Sequence, residues 1–211
     1  MSKKIIDISV DVNSKTIVWP GIPKVRFSRL KDMAQGDMVN DTLMAANIHS
    51  GTHVDAPLHF LKHGRSIEKI DLKKFIGQAQ VVQLSGKSDI YAKDLQKAKI
   101  LKGVKKILLK TDNCKLWQKK NKTFVKDFCA LKPDAAQWLV DRKIDLVGID
   151  YLSIQKFKDG PEVHQILLKA GVVILETLNL LSVRPGVYTL VCFPMKLKGV
   201  EAAPVRAVLL K

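Results

Sequence analysis

Seven strand-like runs constrain the fold of this 211-residue chain more than any other feature of its sequence. The runs are rich in Val, Ile and Leu and are bounded by Gly, Asp, Asn or Pro, which is typical of β-strands. Several runs follow one another without an intervening helix, so we expect a mixed or antiparallel sheet that curls towards a barrel, and not a doubly wound parallel sheet. The predicted strands span residues 4–12, 38–49, 78–85, 104–111, 144–150, 172–177 and 187–193.

Three helices fit the gaps between these strands. Residues 91–99 follow Ser88-Asp89, residues 133–141 open with a proline at the first helical position, and residues 161–169 end before Gly171. The hydrophobic fraction of 46% and the charged fraction of 27% are those of an ordinary globular protein. We therefore predict a single α/β domain over residues 1–211, with a curved, barrel-like sheet and flanking helices.

A strong positive charge raises the question of an anionic partner. The net charge is +16, and much of the excess lies in residues 97–126, where lysine dominates and the aromatic residues are only Trp117 and Phe124. Nucleic-acid-binding surfaces usually combine arginine with stacking aromatics. We interpret this region as a solvated lysine-rich surface and expect no nucleic-acid partner, with weak affinity for polyanions as the alternative.

Membrane and secretory signals are not found in the sequence. No stretch approaches the roughly 18 apolar residues of a membrane span, and residues 1–10 alternate like a strand where a signal peptide needs an unbroken apolar core. The cysteines Cys114, Cys129 and Cys192 show no C-x-x-C spacing, so we expect free thiols. These features predict a cytoplasmic protein without a membrane partner.

Motifs for nucleotide binding and serine catalysis are absent as well. The sequence contains no G-x-G-x-x-G after a strand, no G-x-x-x-x-G-K-[ST] and no G-x-S-x-G.

Histidines are clustered in one short segment. Four of the five lie in the run His-Ser-Gly-Thr-His-Val-Asp-Ala-Pro-Leu-His-Phe-Leu-Lys-His of residues 49–63, and the fifth, His164, precedes Glu176 by twelve residues. Neutral imidazoles combined with carboxylates are suitable ligands for zinc- or manganese-class ions. We interpret the two segments as halves of one metal site, and His63 as a structural residue of a turn.

The backbone conformation of this cluster follows from its glycine and proline. His49 and His53 are four residues apart and would share a face of a helix. However, Gly51 and Pro57 favour a strand running into a loop, which can also bring three ligands together.

The run from His49 to Phe60 resembles the H-x-G-T-H-x-D-x-P-x-H-F signature of the cyclase family of metal-dependent hydrolases, whose best-known members are bacterial kynurenine formamidases. Weaker similarities lie in Trp19-Pro20-Gly21, Gly148-Ile149-Asp150 and residues 164–179 and 204–209. The resemblance implies a swivelling β/β/α fold. It also implies a homo-oligomer, commonly a dimer, for which we expect the N-terminal strand and the Trp19 region as interface.

The resemblance also assigns roles to individual residues. One divalent metal would be bound by His49, His53 and Asp55, and Asp55 would bridge to a second metal held by His164 and Glu176. His59 would remain unligated and transfer protons. The metal would be one or two zinc ions, with manganese as an alternative, and Trp19 would stack on an aromatic substrate.

The expected reaction is hydrolysis of a small-molecule amide. A bound dication lowers the pKa of its water from 15.7 to about 7, and an imidazole can carry a proton to the departing nitrogen. An arylformamide such as N-formylkynurenine is the expected substrate. Because Ile22 and residues 151–155 depart from the pattern of kynurenine formamidases, a cyclic amide or lactone is the first alternative, and a catalytically silent metal-bearing protein is the second.

Overall fold

A nine-stranded mixed sheet forms the centre of the molecule, as seen in a computed structural model that describes residues 4–118 and 123–211. The lysines at positions 119, 120 and 122 of the lysine-rich region lie outside the described residues. The strands are β1 Ile5–Asp7, β2 Arg26–Lys31, β3 Asp41–Ala45, β4 His53–Asp55, β5 Ile76–Gln83, β6 Asp89–Ile90, β7 Lys106–Lys110, β8 Ala130–Leu131, β9 Leu146–Ile149, β10 Val173–Glu176, β11 Gly186–Val191, β12 Ala202–Pro204 and β13 Val208–Leu210. The helices are α1 Ala92–Lys97, α2 Pro133–Asp141 and α3 Glu162–Lys169.

The strand order is β1-β13-β11-β5-β7-β9-β10-β4-β12. Neighbouring strands within β5, β7, β9 and β10 are parallel, and the pairs that flank them on both sides are antiparallel. The sheet curls into a half-barrel, which confirms the predicted α/β class and the mixed alternative for the sheet.

Two hydrophobic cores lie on opposite faces of this sheet. One contains Phe75, Val54, Leu108 and Leu175, and the other, between the sheet and the three helices, contains Leu109, Leu139 and Leu167 among others. Alternation along each strand explains the division, because successive side chains point to opposite faces. The helical layer therefore lies on the face to which His53 and Asp55 point, opposite Val54.

All three predicted helices and all seven predicted strands have counterparts in the structure, most of them with shorter bounds. Residues 133–141 form a helix with the predicted limits, whereas the strand predicted over residues 38–49 is confined to Asp41–Ala45. Its partner β2 was missed, because all residues of both strands are exposed and no alternation between buried and exposed positions marks them. The three-residue strand β12 was also missed, being too short for a periodic signal.

In the described part of the chain, none of the helices has the length and apolar character that crossing a bilayer requires.

Candidate metal centre

The short strand β4 places two of the predicted ligands side by side. His53 and Asp55 are two residues apart in the strand, so both side chains leave the same face of the sheet. Across the antiparallel pair with β10, Glu176 lies opposite His53. The Nε2 atom of His53 is 3.4 Å from Oδ1 of Asp55 and 3.5 Å from Oε2 of Glu176.

The segments on either side of β4 bring two further histidines to the same place. His49 lies in the preceding turn, with Nδ1 3.1 Å from Oδ1 of Asp55. Pro57 opens a short 3-10 helix that ends at His59, and the rings of His49 and His59 lie 4.3 Å apart between centroids. The structure thus confirms a strand flanked by loops rather than a helix.

Helix α3 supplies the ligand that is most distant in sequence. His164 is buried, with Nε2 3.4 Å from Oε1 of Glu176 and 3.9 Å from Oδ2 of Asp55. The ring of Phe60 stacks on the His164 ring, with 4.3 Å between centroids. All five residues that the sequence assigns to the metal, together with His59, therefore meet in one site. His63 is exposed and is not one of the described residues whose ligand atoms converge here.

Hydrogen bonds fix the tautomers of two of these imidazoles. Nδ1 of His53 lies 2.9 Å from the carbonyl oxygen of Gly51, which can only accept, so Nδ1 carries the proton. The backbone N–H of His164 donates to Oε1 of Gln155 at 3.4 Å, which orients the amide oxygen towards the ring. Nδ1 of His164, 3.2 Å from the same oxygen, must then donate to it. Both residues therefore present the lone pair of Nε2 to the carboxylates.

Burial keeps most of these imidazoles neutral. It lowers the pKa of His53, His164 and His59 to about 4 each. Burial opposes the protonation of His49 as well, but the carboxylate of Asp55, which lies 3.1 Å from Nδ1, outweighs it and raises the pKa of His49. A neutral imidazole is the form that binds a cation.

The pKa values of the two buried carboxyl groups, Glu176 and Asp55, are shifted in opposite directions. Burial raises the pKa of Glu176, and the negative charge of Asp55 adds to this effect. Burial acts on Asp55 in the same sense, but the close approach of the His49 ring and the other nearby imidazoles hold its pKa below the usual range. No Lys or Arg of the described residues forms an ion pair with either carboxyl group.

Unpartnered polar atoms indicate which kind of ligand suits the site. Among the described residues, seven buried side-chain nitrogen or oxygen atoms have no hydrogen-bond partner, and four of them are Nε2 of His49, Nε2 of His53 and both carboxylate oxygens of Asp55. Such atoms are costly to bury unless a partner satisfies them. A divalent cation among these donors would do so, and the residues present fit a metal of the zinc or manganese class.

The atoms that could bind a metal form two overlapping groups, and Asp55 belongs to both. In one group they belong to His49, Asp55 and His59, and in the other to His53, Asp55 and Glu176, with all atoms of a group within 4.8 Å of one another. The sequence predicts a different division, with His49 and His53 in one group. His59, predicted to remain unligated, is also close enough to bind a metal.

A cavity of about 400 Å³ opens beside the donors. His59 and Glu176 lie in its wall together with the apolar side chains of Trp19, Ile22 and Phe60. Trp19 packs against Phe124 and Phe157, in each case with ring centroids 5.2 Å apart. Trp19 therefore lies in an aromatic cluster of its own chain as well as in the cavity wall.

Sequence reasoning missed two polar residues of this site. Gln155 orients His164, and Oε1 of Glu201 lies 3.5 Å from Nε2 of His49, somewhat beyond a good hydrogen bond. Gln155 lies in the loop whose departure from the family pattern the sequence does reveal. Glu201 precedes β12 and reaches the site only because β12 pairs with β4, which no local signal predicts.

Comparison with known proteins identifies the family. The family model Cyclase, whose description reads "Putative cyclase", matches residues 6–156. The chain belongs to the Cyclase family. The matched region contains β4, the 3-10 helix of His59 and Gln155.

Curated relatives of this Cyclase-family chain include plant and bacterial proteins. It is 35% identical over 217 residues to Cyclase-like protein 1 of Arabidopsis thaliana, an alignment that covers 99% of this chain and 85% of that protein. It is 32% identical over 205 residues to the kynurenine formamidase of Bacillus thuringiensis (strain Al Hakam), covering 97% and 96%.

Two solved structures share the whole fold of this chain. A protein described as a potential metal-dependent hydrolase with cyclase activity superposes with a TM-score of 0.86 at 30% identity, covering 99% of this chain and 98% of that chain. An isatin hydrolase bound to the product analogue thioisatinate superposes with a TM-score of 0.85 over 99% of this chain and 92% of that chain. The sequence identity to this isatin hydrolase is 21%, so the comparison with it concerns the fold alone.

Proposed function

We propose that this protein is a metal-dependent hydrolase that cleaves the C–N bond of a small amide, with an arylformamide such as N-formylkynurenine as the substrate. The observation that carries the proposal is the group of unpartnered donor atoms on His49, His53 and Asp55 at the edge of an apolar cavity. The similarity to a bacterial kynurenine formamidase and to a protein described as a potential metal-dependent hydrolase supports it.

The proposed ligands are His49, His53, Asp55, His164 and Glu176. They would hold one or two divalent ions, zinc first and manganese as the alternative, because imidazole and carboxylate ligands suit both. When bound, such a cation would act as a Lewis acid and would lower the pKa of a coordinated water molecule. The hydrogen bonds that Nδ1 of His53 and Nδ1 of His164 donate keep Nε2 of each ring free for binding.

His59 is the proposed proton-transfer residue. It lies in the cavity wall and is half-buried, and at neutral pH its imidazole is neutral, so it can accept a proton on a ring nitrogen. Hydrolysis adds the hydroxyl group of a water molecule to the carbonyl carbon, transfers the remaining proton of that water to His59 and breaks the C–N bond. The departing nitrogen takes the proton that His59 carries.

The apolar wall of the cavity favours a flat substrate. Trp19, Ile22 and Phe60 offer apolar surface next to the donors, and aromatic rings bind such walls with little loss of conformational entropy. A cavity of about 400 Å³ lies within the usual range for small-molecule sites. We infer that an arylamide group lies against Trp19, next to His59 and Glu176 in the same cavity wall.

The experiment that tests this proposal follows kynurenine release from N-formylkynurenine by protein of known metal content, before and after chelation and after zinc or manganese is restored. His53→Ala is expected to lose metal and activity together. His59→Ala should retain metal and lose about 10²- to 10⁴-fold in turnover. His63→Ala serves as the matched histidine control and should leave both unchanged.

Different results would change the proposal in defined ways. If His59→Ala loses metal as well as activity, His59 is a ligand, as the group of His49, Asp55 and His59 allows. If metal is bound but this substrate is untouched, a panel of cyclic amides and lactones tests the alternative substrate class. If the purified protein neither contains metal nor takes it up, the proposed function fails.

A further inference from the structure

Parallel strands bring several loops to one end of the main sheet. Strands β5, β7, β9 and β10 run in the same direction, so the segments that lead into them meet at their amino ends. Strand β11 is antiparallel to β5, with Val191 opposite Ile76, so the segment that follows β11 reaches the same end. We call this surface the basic end. It comprises residues 69–76, 97–105, 141–145, 169–172 and 192–198.

Positive charge dominates the basic end. It contains eleven lysines and Arg142, but only three acidic residues, Asp71, Asp141 and Asp145. All of the basic residues except Lys74 are exposed, and none of them forms an ion pair with a carboxylate among the described residues. An uncompensated positive field of this kind attracts polyanionic surfaces. The lysines are Lys69, Lys73, Lys74, Lys97, Lys99, Lys102, Lys105, Lys143, Lys169, Lys196 and Lys198.

Exposed apolar side chains lie among these lysines. Leu72, which precedes Lys73, is 62% exposed, and Leu101, which precedes Lys102, is 53% exposed. The loop of Leu101 is held next to β5, because the N–H of Leu101 donates to Oε1 of Gln80 at 2.9 Å. Single exposed hydrophobic residues are common, but a cluster marks an interaction surface. Of the fifteen large hydrophobic residues that are exposed in the described part of the chain, five lie at the basic end: Leu72, Ile76, Leu101, Phe193 and Met195.

The residue types at the basic end distinguish between polyanionic partners. Surfaces that bind nucleic acids use arginine to grip phosphates and bases, and aromatic rings to stack on bases. Here the guanidinium group of Arg142 covers the ring of Trp138, 4.5 Å from its centroid, and Phe193 is the one exposed aromatic residue of the segments that form this end. Lysines next to protruding aliphatic side chains instead suit a lipid surface, where ammonium groups bind headgroup phosphates and apolar side chains enter the acyl boundary.

The candidate metal centre lies towards the other end of the parallel strands. Glu176 is the last residue of β10, and the loop of residues 151–159, which forms part of the cavity wall, follows β9. A contact through the basic end would therefore leave this wall of the cavity uncovered.

We propose that the basic end docks this protein peripherally on membrane surfaces rich in anionic phospholipids, with its lysines on headgroup phosphates and with Leu72 and Leu101 in the acyl boundary. The prediction of no membrane partner rests on the lack of a membrane-spanning stretch, which a peripheral contact does not need. The proposal does not depend on the substrate or on the metal.

The test is co-sedimentation of the full chain with vesicles. One set of vesicles contains phosphatidylcholine alone, and the other contains equal parts of phosphatidylcholine and phosphatidylserine. Binding to the anionic vesicles should be at least about ten-fold stronger. Lys99→Glu with Lys102→Glu should weaken this binding by at least about ten-fold, because both lysines would then repel the phosphates. Leu72→Ser with Leu101→Ser keeps every charge and should weaken it by at least about five-fold.

A control variant separates the basic end from the net charge of the whole chain. Lys15→Glu with Lys158→Glu changes the net charge by the same amount as the lysine variant. Lys15 lies next to Thr177, just after β10, and Lys158 lies in the loop after β9, so both exposed lysines are remote from the basic end. This variant should bind anionic vesicles within about three-fold of the wild type. Because all substituted residues are exposed, the thermal unfolding curves of the variants should match that of the wild type.

A wild-type protein that does not bind the anionic vesicles overturns the proposal. So does an equal loss of binding in the lysine variant and in the control variant, because net charge alone would then explain it. If the leucine variant binds as the wild type does and single-stranded RNA displaces both from the vesicles, the basic end is a general polyanion surface and the membrane contact is rejected.

Discussion

Oε1 of Gln155 accepts hydrogen bonds from both the backbone N–H and the ring Nδ1 of His164, at 3.4 and 3.2 Å. The side-chain amide of Gln155 is held in turn by donation from Nε2 to the carbonyl oxygen of Asp159 at 3.4 Å. The loop of residues 151–159 thus determines which nitrogen of His164 faces Glu176. Partners of this kind orient metal-binding histidines and tune their affinity.

Replacing Gln155 by leucine should weaken metal binding. Without an acceptor, the His164 ring loses both its orientation and the preference for a proton on Nδ1, so Nε2 is less available. We expect an affinity for zinc that is about 10- to 100-fold lower, measured by competition with a chromophoric chelator. Gln137→Leu, on the exposed side of α2, is the matched control. Equal affinities for the two variants would show that Gln155 does not orient His164.

Thr177 adopts a strained backbone next to Glu176. Its φ angle is +62°, in the left-handed region that β-branched residues avoid, and its buried hydroxyl has no hydrogen-bond partner. The carbonyl oxygen of Thr177 accepts a hydrogen bond from Oγ1 of Thr52 at 2.7 Å, which ties β10 to the residue before His53. The strain is therefore held in place by the strands that carry the donors.

Thr177→Gly should stabilise the protein. Glycine removes both the left-handed strain and the unpartnered hydroxyl, while the backbone hydrogen bonds remain. Glycine also makes the unfolded chain more flexible, which offsets part of this benefit. We expect the free energy of unfolding to increase by about 1 kcal/mol and Tm to rise by roughly 2–4 °C. The control is Lys143→Gly, at an exposed residue with a φ of +55°. This change relieves backbone strain but removes no buried hydroxyl, so the free energy of unfolding should increase by less. A lower Tm for Thr177→Gly would contradict this account of the strain.

Gly64 sets the position of the 3-10 helix that carries His59. A Cβ atom at this glycine would lie 2.3 Å from the carbonyl carbon of Pro57 and 2.5 Å from the backbone nitrogen of Leu58. Neither backbone atom can move without shifting the turn. We therefore expect Gly64→Ala to displace His59 and to lower kcat by about 10²-fold, as misplacement by about 1 Å typically does.

The control for this substitution is another glycine of the site region. A Cβ atom at Gly160 would meet nothing within 4 Å, so Gly160→Ala should retain the activity of the wild type. Steady-state kinetics of the two variants on the same substrate makes the comparison. If both variants are equally active, the turn tolerates the displacement and Gly64 is not needed to position His59.

The sequence predicts the parts of the site that depend on local pattern. His53 and Asp55 share a face because a strand has a period of two, and Glu176 ends a short apolar run that is typical of a buried strand. The roles of Gln155 and Glu201 depend on contacts between segments that are distant in the chain. Of the two strands of the β2–β3 hairpin, only β3 is predicted from the sequence. Both strands are exposed and lack the alternation that marks a buried face.

Asp150 gives the protein a dependence of stability on pH that is separate from the metal donors. Its carboxylate is fully buried and accepts hydrogen bonds from the backbone N–H of Thr111 at 2.7 Å, the Thr111 hydroxyl at 2.8 Å and the N–H of Cys114 at 3.2 Å. No cation of the described part of the chain pairs with it. Burial raises the pKa of Asp150 to about 6, although these hydrogen bonds oppose the rise.

The sign of the effect follows from proton binding. Between about pH 4 and pH 6 the folded protein holds the Asp150 proton more tightly than the unfolded chain does, so the free energy of unfolding decreases as the pH rises. A shift of about two pKa units corresponds to roughly 3 kcal/mol. Asp150→Asn keeps an acceptor for Thr111 but does not titrate. Urea unfolding of both proteins from pH 4 to 7.5 should therefore show the wild type losing about 3 kcal/mol relative to the variant. If the free energies of unfolding of the two proteins changed with pH in parallel, burial would not raise the pKa of Asp150 in the folded state.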